Sequence, residues 1–201
     1  LSFKERTEID LTASKYSILG KTNVYKSEIL KGALFIGPNA SGKSNALKGL
    51  SFIIKMIKGE GVSFNRYRCL FSDNPIITIE YEFIFESKKV EYVIEYNIQT
   101  NSISENLKID EITVLKRTGN TGELRIGQSV TTDDQVDSET LFLRTASFNT
   151  GRFPQEPTLR KLMDFLQNSY IVDEYNWDAK VGSTITRYAE EFGVEKINKY
   201  L

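Results

Sequence analysis

A glycine-rich loop, set between an apolar run and an amphipathic helix, constrains this chain most. It matches the pattern G-x-x-x-x-G-K-S/T with the residues Gly37-Pro38-Asn39-Ala40-Ser41-Gly42-Lys43-Ser44. The apolar run at 33–36 predicts a buried strand of a parallel sheet. After the loop, apolar residues recur at spacings of three and four, which predicts a helix over 43–58 that ends near Gly59. These residues are Ala46, Leu47, Leu50, Ile53, Ile54 and Ile57.

The residue types of this loop suit phosphate binding. Gly37 and Gly42 permit a tight backbone path, so that N–H groups and the N-terminus of the next helix point at a phosphate. The Lys43 ammonium can reach the β- and γ-phosphates of a nucleotide, and the Ser44 hydroxyl can ligate Mg²⁺. We therefore predict a phosphate-binding loop with Lys43 as its catalytic residue and Ser44 as its metal ligand. The alternative is a glycine turn in which Lys and Ser are incidental.

Composition excludes several other kinds of chemistry. Histidine is absent and cysteine occurs once, as Cys69, which removes Ser/His and Cys/His catalysis, multi-cysteine zinc sites and any internal disulfide. A single cysteine fits a reducing compartment, so we expect a cytoplasmic protein with no membrane span. A net charge of −1 excludes a globally basic polyanion binder. Cys69 itself is predicted to be a small buried side chain rather than a reactive thiol.

Beyond the first helix the hydrophobic period changes from 3.6 to 2. Two alternating runs, 77–85 and 90–98, predict a hairpin with a three-residue loop at 87–89. Weaker strand patterns follow at 103–109, 112–117 and 123–126. The region 75–130 is therefore predicted to be an antiparallel β-meander, inserted after the strand, loop and helix of residues 1–60.

The remainder is predicted to be mainly helical. Residues 127–139 are polar and predict a solvated loop rather than a cation site. Pro157 opens a helix pattern, and a further helix is expected over 185–201. We expect one α/β domain, with 140–201 as its helical part.

Around the loop, the chain resembles the N-terminal part of the ABC-like heads of SMC, RecF and OLD-type ATPases. It is most similar to bacterial AAA proteins of abortive-infection and other phage-defence systems. The likeness rests on GPNASGKSN, on Leu1-Ser2-Phe3-Lys4 and on Ile103-Ser104-Glu105-Asn106-Leu107. It implies a P-loop NTPase fold in which residues 37–45 contact ATP, with Asn39 near the γ-phosphate and Asn45 just beyond.

The chain also departs from that family. Such heads need an L-S-G-G-like signature and an apolar strand ending in Asp-Glu, and no signature is present. Asp173-Glu174 imitates the Asp-Glu pair, but the apolar run before it is short, so we predict that it does not serve as the magnesium-and-water pair. The end, Asn198-Lys199-Tyr200-Leu201, lacks the aspartate of a guanine-binding motif, which disfavours GTP. Because the sequence begins with Leu1 and lacks these parts, we expect the N-terminal half of a head that is inactive alone.

We therefore expect an ATP-binding ATPase that uses Mg²⁺. In the full-length protein, ATP hydrolysis is expected to be coupled to the engagement of two or more heads and to serve anti-phage defence. Two alternatives remain open: an ATP-gated, non-hydrolytic scaffold that holds a toxin or nuclease subunit, and a RecF-like DNA-repair clamp. Nucleic acid is an open partner. Its candidate contacts, for which a solvated face is the alternative, are Arg66, Arg68, Arg144, Arg152 and Arg160.

Overall fold

An antiparallel sheet covered on one face by helices forms the body of the protein. The computed structural model describes residues 3–13, 22–25, 29–149, 151 and 153–171. The strands are β1 (Val24–Tyr25), β2 (Ile29–Leu30), β3 (Ile76–Phe85), β4 (Lys88–Asn97), β5 (Ser102–Ile109), β6 (Ile112–Thr118), β7 (Thr121–Ile126) and β8 (Ser129–Asp133). The helices are α1 (Lys43–Lys58), α2 (Phe142–Asn149) and α3 (Pro157–Asn168), with 3₁₀ turns at Phe64–Tyr67 and Phe153–Gln155. None of these helices has the length and hydropathy to cross a membrane.

Strands β3 to β8 pair strictly in chain order, so the predicted antiparallel meander is confirmed. Two features differ from the prediction, apart from shifts of one or two residues at the strand ends. The first hairpin turns over two residues, Glu86 and Ser87, instead of three, because both have positive φ (50° and 75°), which matches the twist of the flanking strands. In addition, Ser129–Asp133 is a strand and not a solvated loop, because Gly127 with φ 59° turns the chain back so that β8 pairs with β7.

Helix α1 has the predicted bounds of 43–58. It ends where Gly59 adopts a left-handed conformation with φ 76° and donates its N–H to the carbonyl of Met56, as expected for a glycine at a helix C-terminus. One residue of the predicted apolar face, Leu47, is exposed, whereas Phe52 and Met56 are buried. Helix α3 begins at Pro157 as predicted, and the Glu156 side chain caps it.

The core lies between the helices and the inward face of the sheet. Alternate residues from Val90 to Ile94 on β4 and from Ile103 to Ile109 on β5 are buried there, and α1 and α3 supply the opposite layer. Burial of this face follows from the alternation of apolar and polar residues, since one sheet face is covered and the other meets solvent. The buried residues include Phe52, Ile53, Ile57, Val90, Tyr92, Ile94, Ile103, Leu107, Leu115, Leu124, Leu143, Leu159 and Leu162.

An ion pair is buried in the same layer. The side chains of Glu105 on β5 and Arg117 on β6 are fully buried, and their closest charged atoms are 3.2 Å apart. Arg117 also donates to the backbone carbonyls of Gly119 at 2.6 Å, Asp137 at 2.7 Å and Thr140 at 2.5 Å. The guanidinium therefore fixes the loop that leads from β8 to α2.

The Glu105 carboxylate is equally well partnered. It accepts hydrogen bonds from Tyr92 Oη at 2.5 Å and from the backbone N–H groups of Phe142 at 2.7 Å and Leu143 at 3.3 Å. These two N–H groups lie in the first turn of α2, where backbone donors lack intrahelical partners. A strand side chain thus holds the N-terminus of a helix.

The predicted buried strand at 33–36 is wrong for the described part of the chain. Residues 31–40 are irregular, and Leu34 and Ile36 are 83% and 84% exposed. A strand of a parallel sheet needs hydrogen-bonded neighbours and covered faces, and no strand within the described ranges pairs with these residues. Just upstream, β1 and β2 form only a small antiparallel pair.

Candidate functional site

The glycine-rich loop leads directly into α1. Gly42, with φ 95°, is the residue at the helix N-terminus, and its carbonyl accepts the first helical hydrogen bond from Ala46 N–H at 2.9 Å. Before it, Ser41 N–H donates to Pro38 O at 3.3 Å, and Ala40 adopts a positive φ of 64°. The loop is therefore a tight turn that aims the chain into the helix.

The first position of the loop leaves little room for a side chain because the chain folds back on it. A Cβ added to Gly37 would lie 2.9 Å from Ser41 Oγ, closer than such atoms approach each other in folded proteins. The positive φ of Gly42 is the second place where a side chain would strain the loop. The two glycines of the motif thus serve the compact backbone that the sequence predicted.

The N-terminus of α1 carries an uncompensated positive field. No side chain caps it, and its first turn contains no acidic residue. The first N–H groups of a helix have no intrahelical partners, and the aligned peptide dipoles place about half a positive charge at this end. The end of the helix is thus electrostatically suited to an anion.

The Lys43 ammonium lies inside the loop. Its Nζ donates to Gly37 O at 2.7 Å and to Pro38 O at 2.6 Å, and it lies 3.4 Å from Ser41 Oγ. The loop thus surrounds the Lys43 ammonium, which the sequence predicts to contact the phosphates. A phosphate would have to replace these two carbonyls as the partner of Nζ, exchanging neutral acceptors for a charged one, which forms the stronger hydrogen bond.

Ser44, the predicted metal ligand, is exposed in the first turn of α1. The described residues contain no group of three or more Asp, Glu, Cys or His side chains that could hold a metal. Mg²⁺ is often bound by one or two protein ligands together with waters and phosphate oxygens. The serine hydroxyl at the N-terminus of α1 is therefore chemically compatible with Mg²⁺ that arrives with a nucleotide.

The structure brings the other loop residues to the same place. Asn39, Ala40 and Ser41 are exposed, and Asn45 is half-buried on α1. Residues 37–45 therefore form one continuous surface at the N-terminus of the helix. Asp173-Glu174, Arg152 and the tail over 185–201 lie outside the described residues.

Other candidates from the sequence are placed differently. Arg144 is half-buried rather than fully solvated, and its Nε donates to Ile57 O at 3.0 Å. Arg66, Arg68 and Arg160 are exposed. Cys69 is half-buried rather than buried.

Sequence reasoning missed the roles of Glu105, Arg117 and Arg144. A signal existed for the first two. Glu105 is in phase with the inward-facing Ile103 and Leu107, so a charged residue occupies a core position, and such a residue requires a partner. For Arg144, the helical pattern gave no comparable indication that the side chain binds the end of another helix.

The fold and the loop together define an α/β nucleotide-binding domain. The chain belongs to the family described as "AAA domain, putative AbiEii toxin, Type IV TA system", whose model matches residues 33–151. The match extends from the apolar run before the loop to the end of α2 and covers more than half of the chain. The domain is therefore an AAA/ABC-like ATPase domain, as the resemblance predicted in its broader form. No curated protein and no solved structure matches the chain.

Proposed function

We propose that residues 37–45 bind the phosphates of ATP together with Mg²⁺. In this proposal Lys43 contacts the β- and γ-phosphates, Ser44 ligates the metal, and the N–H groups of the loop and of α1 surround the phosphate oxygens. The observation that carries it is the uncapped N-terminus of α1, without acidic residues, directly beside the Lys43 ammonium. Membership of an AAA domain family supports the choice of ATP.

We further propose that the full-length protein is an ATPase of the SMC/RecF/OLD-like group that acts in anti-phage defence. Hydrolysis would be coupled to engagement of two or more heads, and a nuclease or toxin subunit is the proposed effector. The resemblance at GPNASGKSN supports the choice of this group. The family description, which names a putative toxin of a type IV TA system, supports a toxin-related role. ATP binding without turnover by the full-length protein would favour the scaffold alternative instead.

Lys43→Ala tests the binding site directly. Removal of the ammonium eliminates charge-assisted hydrogen bonds that are worth about 1.5–3 kcal/mol each, so we expect ATP affinity to fall by about tenfold or more. The measurement is titration of the purified chain with MgATP in a calorimeter. Lys48→Ala is the matched control, because it removes the same charge from an exposed position on the same helix.

We expect Lys48→Ala to bind MgATP within about twofold of the wild-type chain, since five residues at about 100° each place Lys48 on a different face of α1 from Lys43. Equal losses in both variants would indicate a general charge effect, and unchanged affinity in Lys43→Ala would contradict the assignment. Ser44→Ala extends the test to the metal. The variant should bind ATP equally well with and without Mg²⁺, whereas the wild-type chain should bind it more tightly with Mg²⁺.

A further inference from the structure

An arginine from another helix binds the C-terminal end of α1. Arg144 on α2 donates from Nε to the carbonyl of Ile57 at 3.0 Å. Ile57 belongs to the last turn of α1, where carbonyls lack intrahelical partners. A cation at the C-terminus of a helix is also favoured by the helix dipole. The contact therefore satisfies a backbone group and joins two elements that lie 87 residues apart in sequence.

The arginine fits closely against the end of the helix. A methyl group at Gly59 would lie 2.7 Å from Arg144 Nη2. The guanidinium also lies 5.2 Å from the ring centre of Phe148 on α2. The side chain is thus confined between the terminus of α1 and its own helix, which limits where α1 can lie.

Helix α2 is itself fixed to the sheet. The carboxylate of Glu105 binds the N–H groups of Phe142 and Leu143, the two residues immediately before Arg144. Because Glu105 is buried and paired with Arg117, the first turn of α2 has little freedom. Contacts therefore run without a gap from the sheet through α2 to the end of α1.

A second sheet side chain holds the middle of α1. Tyr81 on β3 donates from Oη to Gly49 O at 2.6 Å. By contrast, residues 37–41 at the other end of the helix are exposed. From Ile57 to Lys43 the helix spans about 21 Å at 1.5 Å per residue. Together with the buried apolar face of α1, the attachments at Gly49 and Ile57 fix where the rigid helix presents its N-terminus.

We propose that Arg144 is a positioning residue for nucleotide binding: it holds α1 in the place where residues 37–45 accept phosphate. This inference rests on the proposed ATP site. When a protein is competent to bind only part of the time, its apparent dissociation constant rises by the inverse of the competent fraction. Loss of Arg144 therefore weakens every ligand of the loop by the same factor, because no ligand touches the arginine.

The experiment measures the dissociation constants of MgATP, MgADP and inorganic pyrophosphate for the purified chain. Variants are Arg144→Ala and Arg144→Lys, compared at a temperature well below each variant's Tm. We expect Arg144→Ala to weaken all three ligands by about tenfold, which corresponds to about one competent molecule in ten. Arg144→Lys keeps a donor for Ile57 O and should restore affinity to within about threefold of wild type.

Arg125→Ala is the control, since Arg125 pairs with Glu123 on the outer face of the sheet and should leave all three constants unchanged. If Arg144→Ala does not fold, Arg144→Met keeps the length of the side chain, removes the donor to Ile57 O and should weaken the three ligands equally; unchanged constants in that variant would overturn the proposal.

The outcomes separate the two proposals. If the wild-type chain binds none of the three ligands, the ATP site and the inference both fail. If wild type binds them, Lys43→Ala does not, and Arg144→Ala binds like wild type, the ATP site stands and the positioning role is overturned. Unequal losses among the three ligands in Arg144→Ala also overturn it, because they would indicate a direct contact. Equal losses with rescue by lysine support it.

Discussion

Replacement of Glu105 by alanine is expected to destabilise the protein strongly. The substitution leaves the Arg117 guanidinium in the interior without its counter-charge. It also removes the acceptor for Tyr92 Oη and for two N–H groups at the start of α2. Several buried polar groups thus lose a partner at once, which is the situation in which a single substitution has its largest effect.

The expected magnitude follows from burial. Removing one partner of a buried ion pair lowers the free energy of unfolding by about 3–5 kcal/mol. In a chain of this length each kcal/mol changes Tm by about 2–4 °C, so Tm should fall by about 6–20 °C. The exposed pair Glu123–Arg125, with side chains 42% and 56% exposed, offers the comparison. Glu123→Ala should change stability by about 1 kcal/mol or less.

The assay is urea unfolding followed by far-ultraviolet circular dichroism, with a thermal melt of each variant. A double-mutant cycle adds Arg117→Met and the combination with Glu105→Ala. The double variant should lose less stability than the sum of the single variants, because it no longer leaves a buried charge unpaired. A loss below about 1 kcal/mol for Glu105→Ala, or single effects that simply add, would refute the reasoning.

Two further predictions concern titration and turn geometry. Burial raises the pKa of Tyr81 and, with the neighbouring Glu105 carboxylate, that of Tyr92; an unfolded tyrosine titrates near pH ~10. The folded state therefore retains these protons more tightly, so the free energy of unfolding is unaffected below about pH 10 and falls above it. Between melts at pH 9 and pH 11, Tm should decrease less for Tyr81→Phe than for wild type. An equal decrease in Tm would argue against burial as the cause. Glu111, with φ 69° in the turn between β5 and β6, is strained, so Glu111→Gly should raise stability by about 0.5–1 kcal/mol, seen as a higher urea midpoint at unchanged slope.

Local sequence signals determined much of the fold. The bounds of α1 follow from the motif at its start and Gly59 at its end, and α3 begins at Pro157 as the residue type predicts. The alternating runs located the strands of the meander, because the side-chain period of a strand is two. The loop over 37–44 was identified in the same way, since its glycines, lysine and serine act within eight consecutive residues. Each of these signals is contained in a short stretch of chain.

Tertiary structure alone decided the rest. The apolar run at 33–36 has the composition of a strand, but a strand exists only where a neighbour offers hydrogen bonds. Glu105 binds α2 across 37 residues of sequence, and Arg144 binds the end of α1 across 87. Which partner a buried charge or a helix terminus binds depends on how segments far apart in sequence pack together, and a local sequence pattern does not specify that packing. The sequence located the candidate phosphate loop, whereas packing determined what holds its helix in place.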